Sequence, residues 1–360
     1  MMRLKRFILA LAVILAILLL IATTATIMTG EDNILVKDDM SSKENVSIAV
    51  TGDTMFARNM PNVLSLDSSP FSGVSNVTSN VDLLLINFEN AATYSGDALK
   101  GDVPLKCDPS YVPLAKGNNN TVASLANNHA FDYGITGMKD TISYLKEAGI
   151  TPIGAGETED EAHQAVVQDI NGRKITILNY MDSNNFAEYS YDVMPYANGS
   201  SPGYSAYDSA DAQKQIAENN DSDLIIAYMH FGNEYSNSPN EDQVKIAHEL
   251  IDYGADVVIG SHPHVTQGIE MYNGKPIFYS LGNFIFDQSN PATHIAYFVQ
   301  IDLVGGTGEC TVYPIYVSNY LPQYMDEESG NSLLNNLYPK TDELEVNDGI
   351  GKLSFNLTGD

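Results

Sequence analysis

The chain has 360 residues, 44% of them hydrophobic, and a formal net charge of −28 at pH 7. That length can bury one large core, and that acidity excludes nucleic acid as a partner. Its two cysteines, Cys107 and Cys310, form no CxxC, so neither a zinc knuckle nor a redox motif is supported; a disulfide and two free buried thiols are equally compatible with their spacing.

In chain order, residues 1–30 read as a targeting segment. Arg3, Lys5 and Arg6 precede an uncharged stretch from Phe7 to Met28, which as a helix rising ~1.5 Å per residue covers a hydrocarbon core of ~30 Å. The basic flank keeps the N-terminus cytoplasmic and puts the rest outside the cell. A single-pass membrane anchor is the favoured reading. A cleaved signal peptide, with the protein secreted, is the alternative, although its apolar core normally runs only about 7–15 residues. Residues 31–45 follow as an acidic tether, and residues 46–318 as one domain without a Pro/Gly/Ser-rich linker.

Within that domain five apolar runs each end in polar, ligand-type residues. Ser47 to Thr51 runs into Gly52-Asp53, and Asp82 to Ile86 into Asn87-Phe88-Glu89. Val122 to Ala126 ends in Asn127-Asn128-His129 with Asp132 beyond, and Leu224 to Met229 ends in His230. Asp256 to Ile259, β-branched and bounded by glycines, ends in Gly260-Ser261-His262-Pro263-His264. Such short runs predict buried parallel strands, and the intervening helical patterns, Gly137 to Ala148 and Glu241 to Tyr253, predict an α/β fold. His262, placed before a proline, is expected to be extended, which would aim His262 and His264 to one side. The runs Phe278 to Ile285, His294 to Leu303 and Cys310 to Val317 have no helix between them and are expected to complete the second sheet as antiparallel strands. Residues 319–360 form an acidic C-terminal tail, rich in Asp, Glu, Asn and Ser and expected to be loosely held.

Taken singly, these polar residues have ordinary readings: Asp53 in a turn, Glu89 as a solvated carboxylate, Asn128 as a helix cap, His230 as a satisfied core histidine. Five junctions in series favour convergence, because the crevice at the carboxyl ends of parallel strands is where ligands bind in open α/β sheets. Carboxylate, amide and imidazole donors without cysteine suit Mn, Fe or Zn, and a bridging Glu89 could hold two ions about 3.5–4 Å apart. The expected partition is Asp53, Glu89 and His264 on one ion, and Glu89, Asn128, His230 and His262 on the other. His129, three residues before Asp132, is left as the candidate general acid, with the Asp132 carboxylate orienting it; capping of the following helix is the competing role.

In order and spacing, Gly52-Asp53-x-Met55, Asn87-x-Glu89, Asn127-Asn128-His129-x-x-Asp132, His230-x-Gly232-x-Glu234-Tyr235 and Gly260 to His264 through Tyr279 to Gln288 resemble the CapA-type capsule-biosynthesis proteins of poly-γ-glutamate synthesis. That family is similar to the calcineurin-like metallophosphoesterases, which implies an α/β/β/α sandwich with a two-metal site. Met55 stands where the phosphoesterase pattern has a ligand histidine. The resemblance implies a membrane-anchored, extracytoplasmic protein acting in poly-γ-glutamate or capsular polymer biosynthesis or export through a dinuclear-metal site. Synthase subunits and the polymer are its expected partners. The alternative is a metal-dependent hydrolase of a phosphoester or polymer amide bond unrelated to capsule synthesis.

Overall fold

Aliphatic strands buried at nearly every position dictate how this chain folds, because only a covered sheet can accommodate them. The computed structural model describes residues 43–99, 103–117, 120–186 and 196–357. The expected anchor, residues 1–30, lies outside them, and among the described residues no helix is long and apolar enough to cross a membrane. Strands β1 (Val46–Thr54), β2 (Leu83–Phe88), β3 (Thr121–Ser124) and β4 (Ile150–Ile153) run parallel, with helix α1 (Gly134–Glu147) between the last two. Next come the hairpin of β5 (Val166–Ile170) and β6 (Arg173–Met181), then α2 (Ser209–Glu218), β7 (Leu224–His230), α3 (Glu241–Tyr253) and β8 (Val257–Ser261). A capping box between Asn240 and Gln243 starts α3, and Gly254 in the left-handed conformation stops it.

After β9 (Ile269–Tyr272) and β10 (Lys275–Phe278) the chain crosses to the first sheet. There it forms β11 (Asn283–Ile285), β12 (Ile295–Val304), β13 (Thr307–Ser318), β14 (Leu321–Tyr324), α4 (Glu327–Asn335), β15 (Glu345–Asn347) and β16 (Ile350–Asn356). The larger sheet has the order β15-β16-β13-β12-β1-β2-β3-β4, with β11 on β1 and β14 on β13; the smaller has the order β9-β10-β8-β7-β6-β5.

Period-2 alternation sorts each strand between two environments. Val46, Ile48, Val50, Leu83 and Leu85 from the larger sheet meet Ile175, Ile177, Leu224, Ile226, Tyr228, Val257 and Ile259 from the smaller in one shared core. Met138 and Leu145 of α1 cover the outer face of the larger sheet, and Ile216, Ile246 and Leu250 of α2 and α3 cover that of the smaller. The layer order is α/β/β/α, as the family resemblance implies.

Three expectations need correction. Of the late strands, β12 and β13 do run antiparallel but extend the sheet of β1 instead of the second sheet, and β11 pairs with β1 in parallel. Sheet membership is a long-range choice, and the apolar pattern of a strand does not encode it. The C-terminal tail is not loosely held: β16 pairs with β13, and Leu334, Leu353, Phe355 and Leu357 are buried in the inter-sheet core. Its described acidic residues are exposed, and Lys352, Ser354 and Asn356 occupy the exposed alternate positions of β16. Residues 43–45 of the tether also belong to the domain, since Lys43 pairs with Asp223 at 2.9 Å and Arg173 donates to the Glu44 carbonyl at 2.7 Å. Cys107 and Cys310 are free, buried thiols in different cores.

If the tail belongs to the core, Phe355→Ala should lower the unfolding free energy by about 3–5 kcal/mol. Urea denaturation measures this, and an unchanged midpoint would show the tail to be dispensable for the fold.

Candidate metal centre

The two sheets share an apolar interior, and the site lies where that interior opens at the strands' carboxyl ends. The inward series Leu83, Leu85 continues into Asn87 and Glu89, and the series Leu224, Ile226, Tyr228 continues into His230. Alternation therefore carries polar side chains into the same gap that the aliphatic ones fill lower down. Asp53 arrives by another device. The pairing of β1 with β2 shifts register between Val50 and Asp53, and its pairing with β11 shifts between Asp53 and Thr54. Such bulges re-aim a side chain next to functional sites. The approach is tight: a Cβ on Gly52 would lie 1.9 Å from the Gly282 carbonyl oxygen, which accepts from Asp53 N at 3.1 Å.

Asp53 and Glu89 are fully buried, and one ligand atom from each of Asp53, Glu89 and His230 lies within 4.8 Å of the others. Asn87 Nδ2 donates to Asp53 Oδ1 at 2.8 Å and to Glu89 Oε2 at 3.0 Å, and Asn127 Nδ2 donates to Asn87 Oδ1 at 3.1 Å. On one side His264 Nδ1 lies 3.1 Å from Asp53 Oδ2, and His264 Nε2 lies 3.8 Å from Glu89 Oε1. On the other, His230 Nε2 is 3.1 Å from Asn128 Oδ1 and 3.0 Å from His262 Nδ1. These two separations of about 3 Å from His230 Nε2 match the edges of a polyhedron whose metal bonds are about 2.0–2.2 Å long. All six expected ligands are thus brought together.

Burial alone would push the Asp53 carboxyl up, but the hydrogen bond and charge of His264, with Asn87, hold it below the usual carboxylate value. Burial likewise pulls His264 down, and its hydrogen bond and charge with Asp53 outweigh that and raise it. His264 Nδ1 also lies 2.9 Å from Asn283 Oδ1, and His230 Nδ1 lies 3.0 Å from Ser261 Oγ. These outer contacts fix ring orientation, as metal-ligating imidazoles require.

His129 sits beside the cluster. Its Nδ1 is 2.7 Å from Asp132 Oδ2, which also accepts from Leu105 N at 2.6 Å, and its Nε2 is 4.0 Å from Glu89 Oε1. The pair lies in the turn before α1, the orientation expected of an acid and its positioning carboxylate.

One local expectation fails. His262 and His264 are not extended: their φ angles are +99° and +59°. Non-glycine residues hold such angles only where contacts over-determine them, at about 1–3 kcal/mol each. Here Tyr235 N fixes the turn by donating to the Pro263 carbonyl at 2.8 Å. Met55, at the position of the phosphoesterase histidine, points away from the cluster into the outer core, its Sδ accepting from Ala57 N at 2.8 Å.

Sequence reasoning gives no role to Asn87, the hub between the two carboxylates, or to the orienting groups Ser261 and Asn283. For Asn87 the signal is its spacing from Glu89, since residues two apart on a strand share a face.

The donor chemistry fits a hard-to-borderline divalent ion. Removing the hub should loosen it: Asn87→Ala is expected to weaken metal affinity about 10–100-fold in a competition titration with a chelating dye. Unaltered affinity would show that Asn87 does not position the ligands.

Residues 47–288 match the family model described as bacterial capsule synthesis protein PGA_cap. The chain is 34% identical to the PGA biosynthesis protein CapA of Bacillus subtilis (strain 168) over 297 residues, 80% of this chain and 76% of that protein. It is 32% identical to the capsule biosynthesis protein CapA of Bacillus anthracis over 292 residues, 78% of this chain and 69% of that protein. Among solved structures it is similar to the calcineurin-like phosphoesterase YfkN from Bacillus subtilis, with 14% identity and a TM-score of 0.39 over 88% of this chain and 92% of that one. The layer order described above, not this likeness, carries the fold assignment.

Proposed function

Because the chain belongs to the bacterial capsule synthesis protein family, we propose that it is a membrane-anchored, extracytoplasmic accessory protein in the synthesis or export of poly-γ-glutamate or a related capsular polymer. Residues 1–30 serve as the anchor, and synthase subunits and the polymer are its partners. It works through two divalent ions, Mn, Fe or Zn, one held by Asp53, Glu89 and His264 and the other by Glu89, Asn128, His230 and His262.

One observation carries this reading: the fully buried Glu89 stands between the two groups of ligands, 3.8 Å from His264 and within 4.8 Å of His230 and Asp53. Two neighbouring buried carboxylates need positive charge close by. Ions held there would supply Lewis acidity towards a carbonyl or phosphoryl oxygen. The other tasks fall to side chains. Asn87 and Asn127 keep the carboxylates in place, and Asp132 holds His129 by Nδ1 so that Nε2 faces the cluster.

That last pair favours a second reading, hydrolysis of a polymer amide or a phosphoester, with His129 delivering a proton to the leaving group from Nε2. Against it stands Met55, turned into the core where the phosphoesterase pattern has a ligand.

Deleting the gene in a polymer-forming host is expected to abolish surface polymer, and the wild-type protein to restore it while Glu89→Ala and His230→Ala do not. Undiminished polymer in the deletion strain would remove the capsule role; full restoration by Glu89→Ala would remove the centre's part in it. Under the hydrolase reading, His129→Ala keeps its metal but loses about 10²–10⁴-fold in turnover. Loss of the metal as well would make His129 a ligand.

A further inference from the structure

The rim of the centre carries a cation that the metal-holding residues do not explain. The chain has four arginines, at positions 3, 6, 58 and 173, against a net charge of −28. Arg173 is buried, its guanidinium on the Glu44 and Gly305 carbonyls. Arg58 is therefore the one exposed arginine among the described residues, and it stands four residues after β1, beside the site.

Its position is fixed by Asp287 and Phe286. Asp287, whose side chain is 6% exposed, accepts from Arg58 Nη2 through Oδ1 and from Asn59 N through Oδ2 at 3.0 Å. The guanidinium carbon lies 5.6 Å from the centre of the Phe286 ring, and that ring lies 4.8 Å from the His264 imidazole. One aromatic ring thus links the cation to a candidate metal ligand. The backbone of Arg58 is left-handed, φ +52°, as is that of Tyr235, φ +62°. Tyr235 completes the lip, its ring 6.2 Å from that of His264. Its hydroxyl accepts from Gln288 Nε2 at 3.3 Å, Gln288 Oε1 accepts from Asn283 Nδ2 at 2.9 Å, and Asn283 Oδ1 meets His264 Nδ1 at 2.9 Å. Strained, polar-linked residues on an exposed rim point to a positioned surface. The other guanidinium N–H groups of Arg58 hydrogen-bond to no described residue, and its side chain is 32% exposed.

A planar guanidinium already held in orientation suits an incoming carboxylate, which it can bind through two parallel hydrogen bonds. The surrounding acidity repels a polyanion at long range, but screening over about 8 Å at physiological salt leaves the nearest charge in control at contact. We propose that Arg58 is the specificity-determining residue that anchors a carboxylate of a γ-linked glutamate chain, laying the adjoining amide over the metal centre between Phe286 and Tyr235. This inference rests on the capsule-polymer reading and names the recognition element within it.

The test is binding of a fluorescein-labelled γ-linked glutamate oligomer to the metal-loaded full chain, followed by anisotropy. Arg58→Gln is expected to weaken binding about 10–100-fold with metal content and melting temperature unchanged, and Arg58→Lys to recover part of the loss by restoring charge without the fork. Equal binding by wild type and Arg58→Gln would overturn the inference while leaving the polymer phenotype, and so the proposed function, standing. No binding by the wild-type chain would overturn it too. Should Arg58→Gln fail to fold, Arg58→Lys decides alone, and wild-type affinity there sinks the idea. Inorganic phosphate is expected to compete only weakly; phosphate bound through Arg58 more tightly than the oligomer would overturn the carboxylate assignment.

Discussion

Two carboxylates with no solvent exposure, Asp53 and Glu89, stand at the mouth of an apolar two-sheet core, and the rest of the site is organised around making that arrangement tolerable. Burying an ionised carboxylate costs several kcal/mol even after relaxation, and two side by side also repel each other. Asn87 answers part of this by donating to both, and His264 by pairing with Asp53. Imidazoles and carboxamides complete the surroundings seen around the pair, the donor set that a divalent cation would bind.

The constraint reaches down into the packing. For Asp53 and Glu89 to face His230 and His262, the two sheets must hold a fixed spacing and register, which the shared aliphatic core supplies. Polar ties between the sheets lie just beneath the site: the Tyr228 hydroxyl donates to the Thr51 carbonyl at 2.8 Å, and Asn179 joins Ser124 at 2.9 Å to the Tyr228 carbonyl at 3.0 Å. Gly52 lets β1 approach the Gly282 turn closely enough to set Asp53 in place. The left-handed backbone at His262 and His264 is the local cost of turning both imidazoles inward from one strand end.

Much of this was readable from residue order, for physical reasons. Buried parallel strands are written as short aliphatic runs, and polar residues at the ends of such runs lie in the crevice, so the convergence of Asp53, Glu89, Asn128, His230, His262 and His264, with His129 and Asp132 beside them, is legible in residue order. What escaped depends on contacts remote in sequence. The placement of β12 and β13 beside β1 is one case. Strain at His262 is another, because the proline's local bias towards extension yields to the tertiary turn that Tyr235 holds. Composition points the wrong way for the C-terminal segment, whose Leu353, Phe355 and Leu357 alternate with exposed residues in the pattern of a half-buried strand. Met55 shows the limit of motif alignment: a position homologous to a ligand can point into the core on the other side of the strand.

In the proposed centre Glu89 is shared between two metal ions. Elemental analysis of the full chain, purified without chelators, tests it most directly. About two divalent transition-metal ions per chain are expected, falling when Glu89 is replaced by alanine. Protein without bound metal, or a single ion retained in full by the Glu89→Ala form, would contradict it.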